Sequence, residues 1–302
     1  MRSRLIVILG PTATGKTRLS ARLAYEFNGE IISADSRQVY KGMDIGTGKD
    51  LNDFLVEGKK IKYHLIDIIK PSEEFNLYLF IKYFNQSFNK IIKKEKIPFL
   101  VGGTGLYISS VLQKYNLKQA DFSSRKKKEL QRLSIEELKN ILLNLKSKIH
   151  NTTDLLDKDR IIKAILIELS REDTLSVPKE VSSLVIGINP GREEVKKNIT
   201  ARLKKRLEEG MIDEVKSLIS EGIPLKRLYA FGLEYKLIAM YLNNELSYEE
   251  MFEKLNGDIH KFAKRQMTWF RKMQREGVNI NWIEGPDFEP AKKLIENYLK
   301  QP

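Results

Sequence analysis

The chain has 302 residues, 41% of them hydrophobic, and no cysteine. Disulfides and thiolate metal sites are therefore excluded, and the composition points to a cytoplasmic protein with a substantial core. No run approaches the roughly 18 apolar residues of a membrane span, and the formal net charge of +13 invites a polyanionic partner.

Short apolar runs alternate with helical patterns from the start. Leu5–Leu9 reads as a strand, and Lys16 to Phe27 as an amphipathic helix with Leu19, Leu23 and Phe27 on one face. Glu30–Ala34, Tyr63–Ile68 and Pro98–Val101 read as further strands. Leu77, Phe80, Phe84, Phe88 and Ile91 keep helical spacing before the last of these. Strand, helix, strand, helix predicts an α/β fold with a parallel sheet. From 113 to 183 strand-like runs give way to lysine- and arginine-rich helical sequence, as in Arg125-Lys126-Lys127-Lys128. We read this as a small helical insertion in a core formed by 1–112 and 184–302. Leu184–Ile188 restores strand character, and mostly helical sequence follows, punctuated by Gly210, Gly222, Gly257 and Gly277.

The first strand runs into Gly10-Pro11-Thr12-Ala13-Thr14-Gly15-Lys16-Thr17. Glycine, four residues, glycine, lysine and threonine between a strand and a helix form a phosphate-cradling P-loop. Small residues let backbone N–H groups converge on phosphate oxygens at the positive end of the helix. Lys16 would reach a terminal phosphate, and Thr17 would hold a magnesium ion through its hydroxyl. The motif specifies a diphosphate without saying whose. A nucleotide-hydrolysing P-loop protein usually has an acid ending another strand. Here the run Ile97–Val101 ends in Gly102-Gly103-Thr104-Gly105, with no acid. Asp35 does end a strand. By position it is a helix cap, a magnesium ligand or a general base facing the diphosphate. Ser36 and Gln38 follow, and a glutamine amide can read an adenine edge by paired hydrogen bonds.

Five segments, in order, resemble those of the tRNA dimethylallyltransferase (isopentenyl-tRNA transferase) family. They are Gly10 to Thr17; Ile31 to Thr47, including Asp35-Ser36-Arg37-Gln38; His64-Leu65-Ile66-Asp67; Val101 to Tyr107; and Ala263 to Arg271, including Lys264-Arg265-Gln266. The resemblance implies a P-loop NTPase-like parallel sheet flanked by helices. It implies transfer of a dimethylallyl group from dimethylallyl diphosphate to N6 of an adenosine beside the tRNA anticodon, with Mg2+ as cofactor. Asp35 would be the base, Thr104 would lie near the reacting groups, and Arg202 or Arg206 would neutralise the diphosphate. Asp35 to Gln38, Thr104, Arg125, Lys158, Asp159, Arg160, Arg265 and Gln266 would contact tRNA. Lys139, Lys146, Lys148 and Lys163 would add to a basic clamp on the anticodon stem-loop. Trp269 and Phe270 read as core, and a monomer away from membranes is expected. The scattered His64, His150 and His260 give little support for a structural metal site.

The chain also departs from the family. Gly48-Lys49-Asp50 stands where many bacterial members have Ala-Lys-Pro, Lys62-Tyr63 replaces a proline-histidine pair, and Gly232-Leu233-Glu234-Tyr235-Lys236 stretches a Gly-Tyr-Lys pattern. The rival readings are a nucleotide or small-molecule kinase and a non-catalytic RNA-binding P-loop module. The missing strand-end acid and the basic insertion argue against the kinase.

Overall fold

A computed structural model describes residues 3–120, 122, 125–145, 157–170, 174–178 and 180–301. Lys146, Lys148 and His150 lie outside the described residues. The chain runs β1 (Arg4–Leu9), α1 (Lys16–Glu26), β2 (Gly29–Ala34), a small hairpin of β3 (Leu55–Val56) and β4 (Lys59–Lys60), β5 (Tyr63–His64), α2 (Leu77–Ile92), β6 (Ile97–Gly102) and α3 (Gly105–Leu112). Next come β7 (Leu117–Lys118), α4 (Arg125–Leu130), α5 (Ile135–Leu145), α6 (Lys158–Glu168) and β8 (Thr174–Leu175). The chain ends with β9 (Ser182–Ile188), α7 (Arg192–Glu208), α8 (Met211–Ser220), α9 (Leu225–Phe231), α10 (Leu233–Leu242), α11 (Tyr248–Arg275), β10 (Asn281–Ile283) and α12 (Phe288–Leu299). It divides into two compact units, residues 1–114 with 177–302, and 115–176.

The larger unit holds a six-stranded sheet in the order β10-β9-β1-β6-β2-β5, every pair parallel. A parallel sheet is covered on both faces, so its central strands are continuous apolar runs rather than alternating ones. Leu5 to Leu9 are accordingly fully buried. One face packs Leu19, Leu23 and Ala24 of α1 and Ala291 and Ile295 of α12 against Ile6, Ile8 and Ile31. Helix α2 packs against β2 and β6, burying Phe80, Phe84 and Phe88. A second core joins α7 to α11 with Val39, Tyr40 and Met43 from the segment after β2. Each fully buried Leu, Ile or Phe contributes about 1.5–3 kcal/mol.

Register sets the site. Leu9 pairs with Gly102, and Gly102 with Ala34, so three strands end in one row. The residues that follow, Gly10, Gly103 and Asp35, therefore share the carboxyl edge, where open α/β sheets bind ligands.

Three expectations need correction. The strand expected over Tyr63–Ile68 stops at His64, because Leu65 and Asp67 adopt positive φ of 63° and 55°. That backbone instead bonds the segment after β2: the N–H of Asp67 to Gln38 O at 3.1 Å and that of Ile68 to Val39 O at 2.9 Å. Gly257 lies within α11 rather than between elements. The edge strand β10, three residues long, was not expected at all.

In the smaller unit, α4, α5 and α6 share a core of Leu130, Leu138, Leu142, Ile161, Ile162, Ile165 and Leu166. Strands β7 and β8 pair antiparallel within it, in a stretch where the sequence shows no strand-like run. Asp157 caps α6, accepting the Arg160 N–H at 3.1 Å.

Candidate active site

The P-loop turns between β1 and α1, with Ala13 and Gly15 at positive φ of 62° and 72°. Lys16 folds its ammonium back onto Pro11 O at 2.5 Å, and the Thr14 hydroxyl donates to the same carbonyl at 3.0 Å. Burial pushes Lys16 down to about 7, with the Arg202 charge acting in the same direction and Asp35 opposing. Arg202, reaching in from α7, donates to the Thr12 hydroxyl. It is pushed down to about 10 by burial and then by Arg206, against the pull of Asp50, Glu234 and Asp35. Two cations are thus desolvated beside a loop of convergent N–H groups, with no carboxylate in salt-bridge contact with either among the described residues. The arrangement suits an anion.

Asp35 faces it from the end of β2. Its Oδ1 accepts the N–H groups of Arg37 at 2.8 Å and Gln38 at 3.3 Å, capping the turn. Its Oδ2 has no hydrogen-bond donor among the described residues, and the residue lines the same pocket as Lys16, Thr17 and Arg202. One oxygen does structural work and the other is available for chemistry. Thr104 comes in from the end of β6. Its hydroxyl accepts the Ser36 N–H at 3.1 Å, and its own N–H donates to Ala34 O at 3.1 Å. Thr17 lines the pocket, and its hydroxyl has no partner among the described residues. Asp35, Asp50 and Asp53 line it too, with Asp50 committed to Arg206, so a divalent cation here would draw mainly on the Thr17 hydroxyl and on phosphate oxygens. No group of three or more acidic or histidine side chains among the described residues forms a closed protein cage.

Gln266 lies 6% exposed on α11, and its amide bridges two loops. Its Oε1 accepts the Thr12 N–H at 2.9 Å and its Nε2 donates to Gly103 O at 2.9 Å. A Cβ on residue 103 would stand 2.2 Å from that Nε2, so only glycine admits the bridge. The resemblance implies that Gln266 contacts tRNA; its amide is engaged inward, between Thr12 and Gly103. Trp269 packs over Gly105 and Phe270 is fully buried. Arg265 is exposed.

The amide of Gln38 is engaged at both ends, accepting from the Ser33 hydroxyl at 3.0 Å and donating to Gly48 O at 3.0 Å. Arg37 pairs with Glu234 at 3.1 Å. Arg206 is 6% exposed and pairs with Asp50 at 3.1 Å. Arg125, Lys158, Asp159 and Arg160 all belong to the smaller unit, with Arg125 94% exposed and 3.5 Å from Glu129.

Two supports carry no signal in the sequence. Lys49, 1% exposed, donates to Tyr40 O at 2.8 Å, to Asp44 at 2.5 Å and to Asp67. Glu214 on α8 accepts the N–H groups of Asp44 and Ile45 at 2.6 Å and Gly46 at 3.0 Å, and the Tyr235 hydroxyl at 2.7 Å. Together they fix the 44–50 segment that forms one wall of the pocket.

The sequence matches the family model for IPP transferase over residues 38–273 and that for isopentenyl transferase over residues 3–71. The chain belongs to the tRNA dimethylallyltransferase family. It is an enzyme that transfers a dimethylallyl group to tRNA, and the kinase and non-catalytic readings are set aside. Relatives span the full length. A tRNA dimethylallyltransferase 1 of Syntrophus aciditrophicus is 47% identical over 99% of this chain and 100% of its own. One of Azobacteroides pseudotrichonymphae is 50% identical over 93% of this chain and 92% of its own. The crystal structure of a tRNA isopentenylpyrophosphate transferase from Bacillus halodurans superposes with a TM-score of 0.69 at 32% identity. It covers 98% of this chain and 95% of that one. Membership in the tRNA dimethylallyltransferase family implies divalent-metal-dependent catalysis. No helix among the described residues is long and apolar enough to cross a membrane.

Proposed function

We propose that the donor is dimethylallyl diphosphate, seated by its diphosphate in the P-loop, and that the acceptor is N6 of the adenosine next to the anticodon. The observation that carries this reading is the pairing of two desolvated cations, Lys16 and Arg202, with a carboxylate oxygen of Asp35 in one pocket. The exocyclic amine of adenine is a poor nucleophile because its lone pair is delocalised into the ring. As its nitrogen bonds the allylic carbon, the carbon–oxygen bond to diphosphate breaks and Asp35 takes the N6 proton. Charge then gathers on the leaving diphosphate. Lys16 and Arg202, which line the pocket with the loop 12–17, would swing from Pro11 O and the Thr12 hydroxyl onto it, and loop N–H groups other than that of Thr12 would join them. Arg206 supports them from behind Arg202. Magnesium held by the Thr17 hydroxyl would add positive charge at the same oxygens. Thr104 and Ser36 shape the entrance for the base, with Gln266 holding the two loops at fixed separation.

The adenine must leave its stack to reach Asp35, at a cost of a few kcal/mol. Phosphate contacts offset that cost. We assign them to Arg125, Lys158 and Arg160 of the 113–183 insertion and to Arg37 and Arg265 of the core, with Asp159 oriented beside its basic neighbours in the first turn of α6. The test is incubation of the protein with magnesium, dimethylallyl diphosphate and unmodified tRNA, followed by mass spectrometry of the digested RNA. The expected product is N6-dimethylallyladenosine in the anticodon-loop fragment. Modification elsewhere, or none with this donor, would overturn the assignment.

A further inference from the structure

Glu214 lies outside the P-loop pocket, half-buried on α8, yet four donors converge on its carboxylate. Its Oε2 accepts the N–H groups of Asp44 and Ile45, both at 2.6 Å. Its Oε1 accepts the Gly46 N–H at 3.0 Å and the Tyr235 hydroxyl at 2.7 Å. All four donors are neutral, and the carboxylate has no ion pair among the described residues. A carboxylate accepts on both oxygens, whereas a glutamine amide accepts on one and presents a donor on the other. The arrangement therefore requires the acid. Tyr235 is fully buried, and burial together with Glu214 raises its hydroxyl well above the ordinary value, so it stays a donor. A Cβ on residue 46 would stand 2.7 Å from that hydroxyl, so a larger residue there would displace it.

The stretch that Glu214 holds has little to fix it otherwise. Gly42, Gly48 and Asp50 adopt positive φ of 72°, 64° and 43°, and glycine leaves the backbone free to move. Gly48 N–H donates to Ile45 O and Lys49 N–H to Asp44 O, each at 3.1 Å, so residues 44–49 form one turn. The far end of that turn meets the reacting groups. Gly48 O accepts the Gln38 amide at 3.0 Å, and the Gln38 N–H donates to Asp35 Oδ1 at 3.3 Å. Asp50 pairs with Arg206 at 3.1 Å, and the Arg206 guanidinium packs against Gly48. One chain of bonds thus runs from Glu214 through 44–46 to Gly48 and Asp50, and on to Asp35 and Arg206.

We propose that Glu214 is a positioning residue for prenyl transfer. It touches no substrate; it sets the pocket wall that aims Asp35 and seats Arg206. That role rests on the reading that the P-loop pocket takes the diphosphate. A shift of about 1 Å at the reacting groups can cost about 10²-fold in rate even when its origin is remote.

Calorimetric titration with inorganic diphosphate and magnesium reads the wall apart from the reaction. Glu214→Gln keeps the side chain's shape but sets an amide donor against backbone donors. It should weaken diphosphate by about tenfold and lower kcat/KM for the prenyl donor by about 10²-fold. Tyr235→Phe, which leaves the three backbone bonds, should give a smaller loss of the same kind. Leu218→Ala opens a cavity under the same helix, where Leu218 is 2% exposed. It should lower the melting temperature at least as far yet leave diphosphate affinity within about twofold. In the Asp50→Asn background, Glu214→Gln should add little further loss of diphosphate affinity, because both act on Arg206. Equal binding of diphosphate by the unaltered protein, Glu214→Gln and Tyr235→Phe overturns the proposal and leaves the reading of the pocket intact. So does a loss in Leu218→Ala as large as that in Glu214→Gln, or full additivity with Asp50→Asn. No binding by the unaltered protein overturns the reading of the pocket and the role of Glu214 with it.

Discussion

Lys16 sits where burial has brought an ammonium to about 7, so near neutral pH it is only partly protonated. A diphosphate beside it favours the charged form and raises that value. The sign follows: the gain in binding is fully present below about pH 7 and is lost as pH rises through the higher, bound-state value. Diphosphate affinity should therefore fall above pH 7, and binding there should take up protons. Calorimetry in two buffers of different ionisation enthalpy measures the uptake directly. In Lys16→Arg the side chain stays charged throughout, so both the uptake and the pH dependence should shrink; an unchanged profile would assign the titration to another group. Asp35 permits a cleaner separation, because its two oxygens do different things. Asp35→Asn keeps an oxygen to cap the N–H groups of Arg37 and Gln38 but cannot take the N6 proton. It should lower kcat by about 10²–10⁴-fold while tRNA binding and the melting temperature stay near those of the unaltered protein. Asp35→Ala should lose turnover and about 1 kcal/mol of stability as well. Equal loss of stability in both would remove the division of labour between the oxygens.

The elements explain which parts of this site were legible. The P-loop, Asp35 and Thr104 were, because each follows directly on an apolar run that could only be an inner strand. The chain's order then determines which loops share the sheet edge. Gln266 was visible as a residue but not in its role, since nothing local says that α11 lays that position beneath Thr12 and Gly103. Glu214 gave no signal: its partners at 44–46 are some 170 positions away, and a glutamate on an amphipathic helix normally faces water. The Gly48-Lys49-Asp50 departure acquires a reason here. A Cβ on residue 48, already at φ 64°, would stand 2.0 Å from the Arg206 guanidinium, and Asp50 pairs with that same arginine. Glycine and aspartate together thus seat the Arg206 guanidinium against the 48–50 segment of the pocket wall. Lys49 between them is buried, with Tyr40 O, Asp44 and Asp67 as its acceptors, and removing it leaves two carboxylates without their cation. Lys49→Ala should cost about 3 kcal/mol in chemical denaturation, the lower end because Asp44 and Asp67 are 55% and 34% exposed and regain water. Gln266→Leu keeps the volume but strands the Thr12 N–H and the Gly103 carbonyl. Stability should drop by about 2 kcal/mol, and the KM for the donor should rise.

At the scale of the molecule, the proposed reading divides the substrate between the two units by its chemistry. In the larger one Lys16 and Arg202 are half-buried in the pocket and Arg206 is buried beside it, where we propose that they act on a compact leaving group. In the smaller one Arg125 and Lys126 point into solvent, 94% and 55% exposed, with ion pairs only to Glu129 on the same helix among the described residues. Exposed pairs of that kind hold their cations weakly, by about 0–1 kcal/mol, so the side chains remain available to a polyanion. Buried and exposed cations also respond differently to salt. Interactions in the pocket are shielded from mobile ions, whereas binding to a phosphate backbone releases counterions and weakens with the logarithm of salt concentration. Changing Arg125, Lys126, Lys127 and Lys128 together to alanine should therefore weaken tRNA binding at low salt and flatten the slope of log K against log salt. The flattening should be about 0.7–0.9 for each phosphate that is no longer neutralised. With tRNA saturating, turnover should persist, because the chemistry lies in the other unit. A slope unchanged by the substitution would make the run an ordinary solvated helix face, and the grip on RNA would then fall to Lys158, Arg160 and the core arginines.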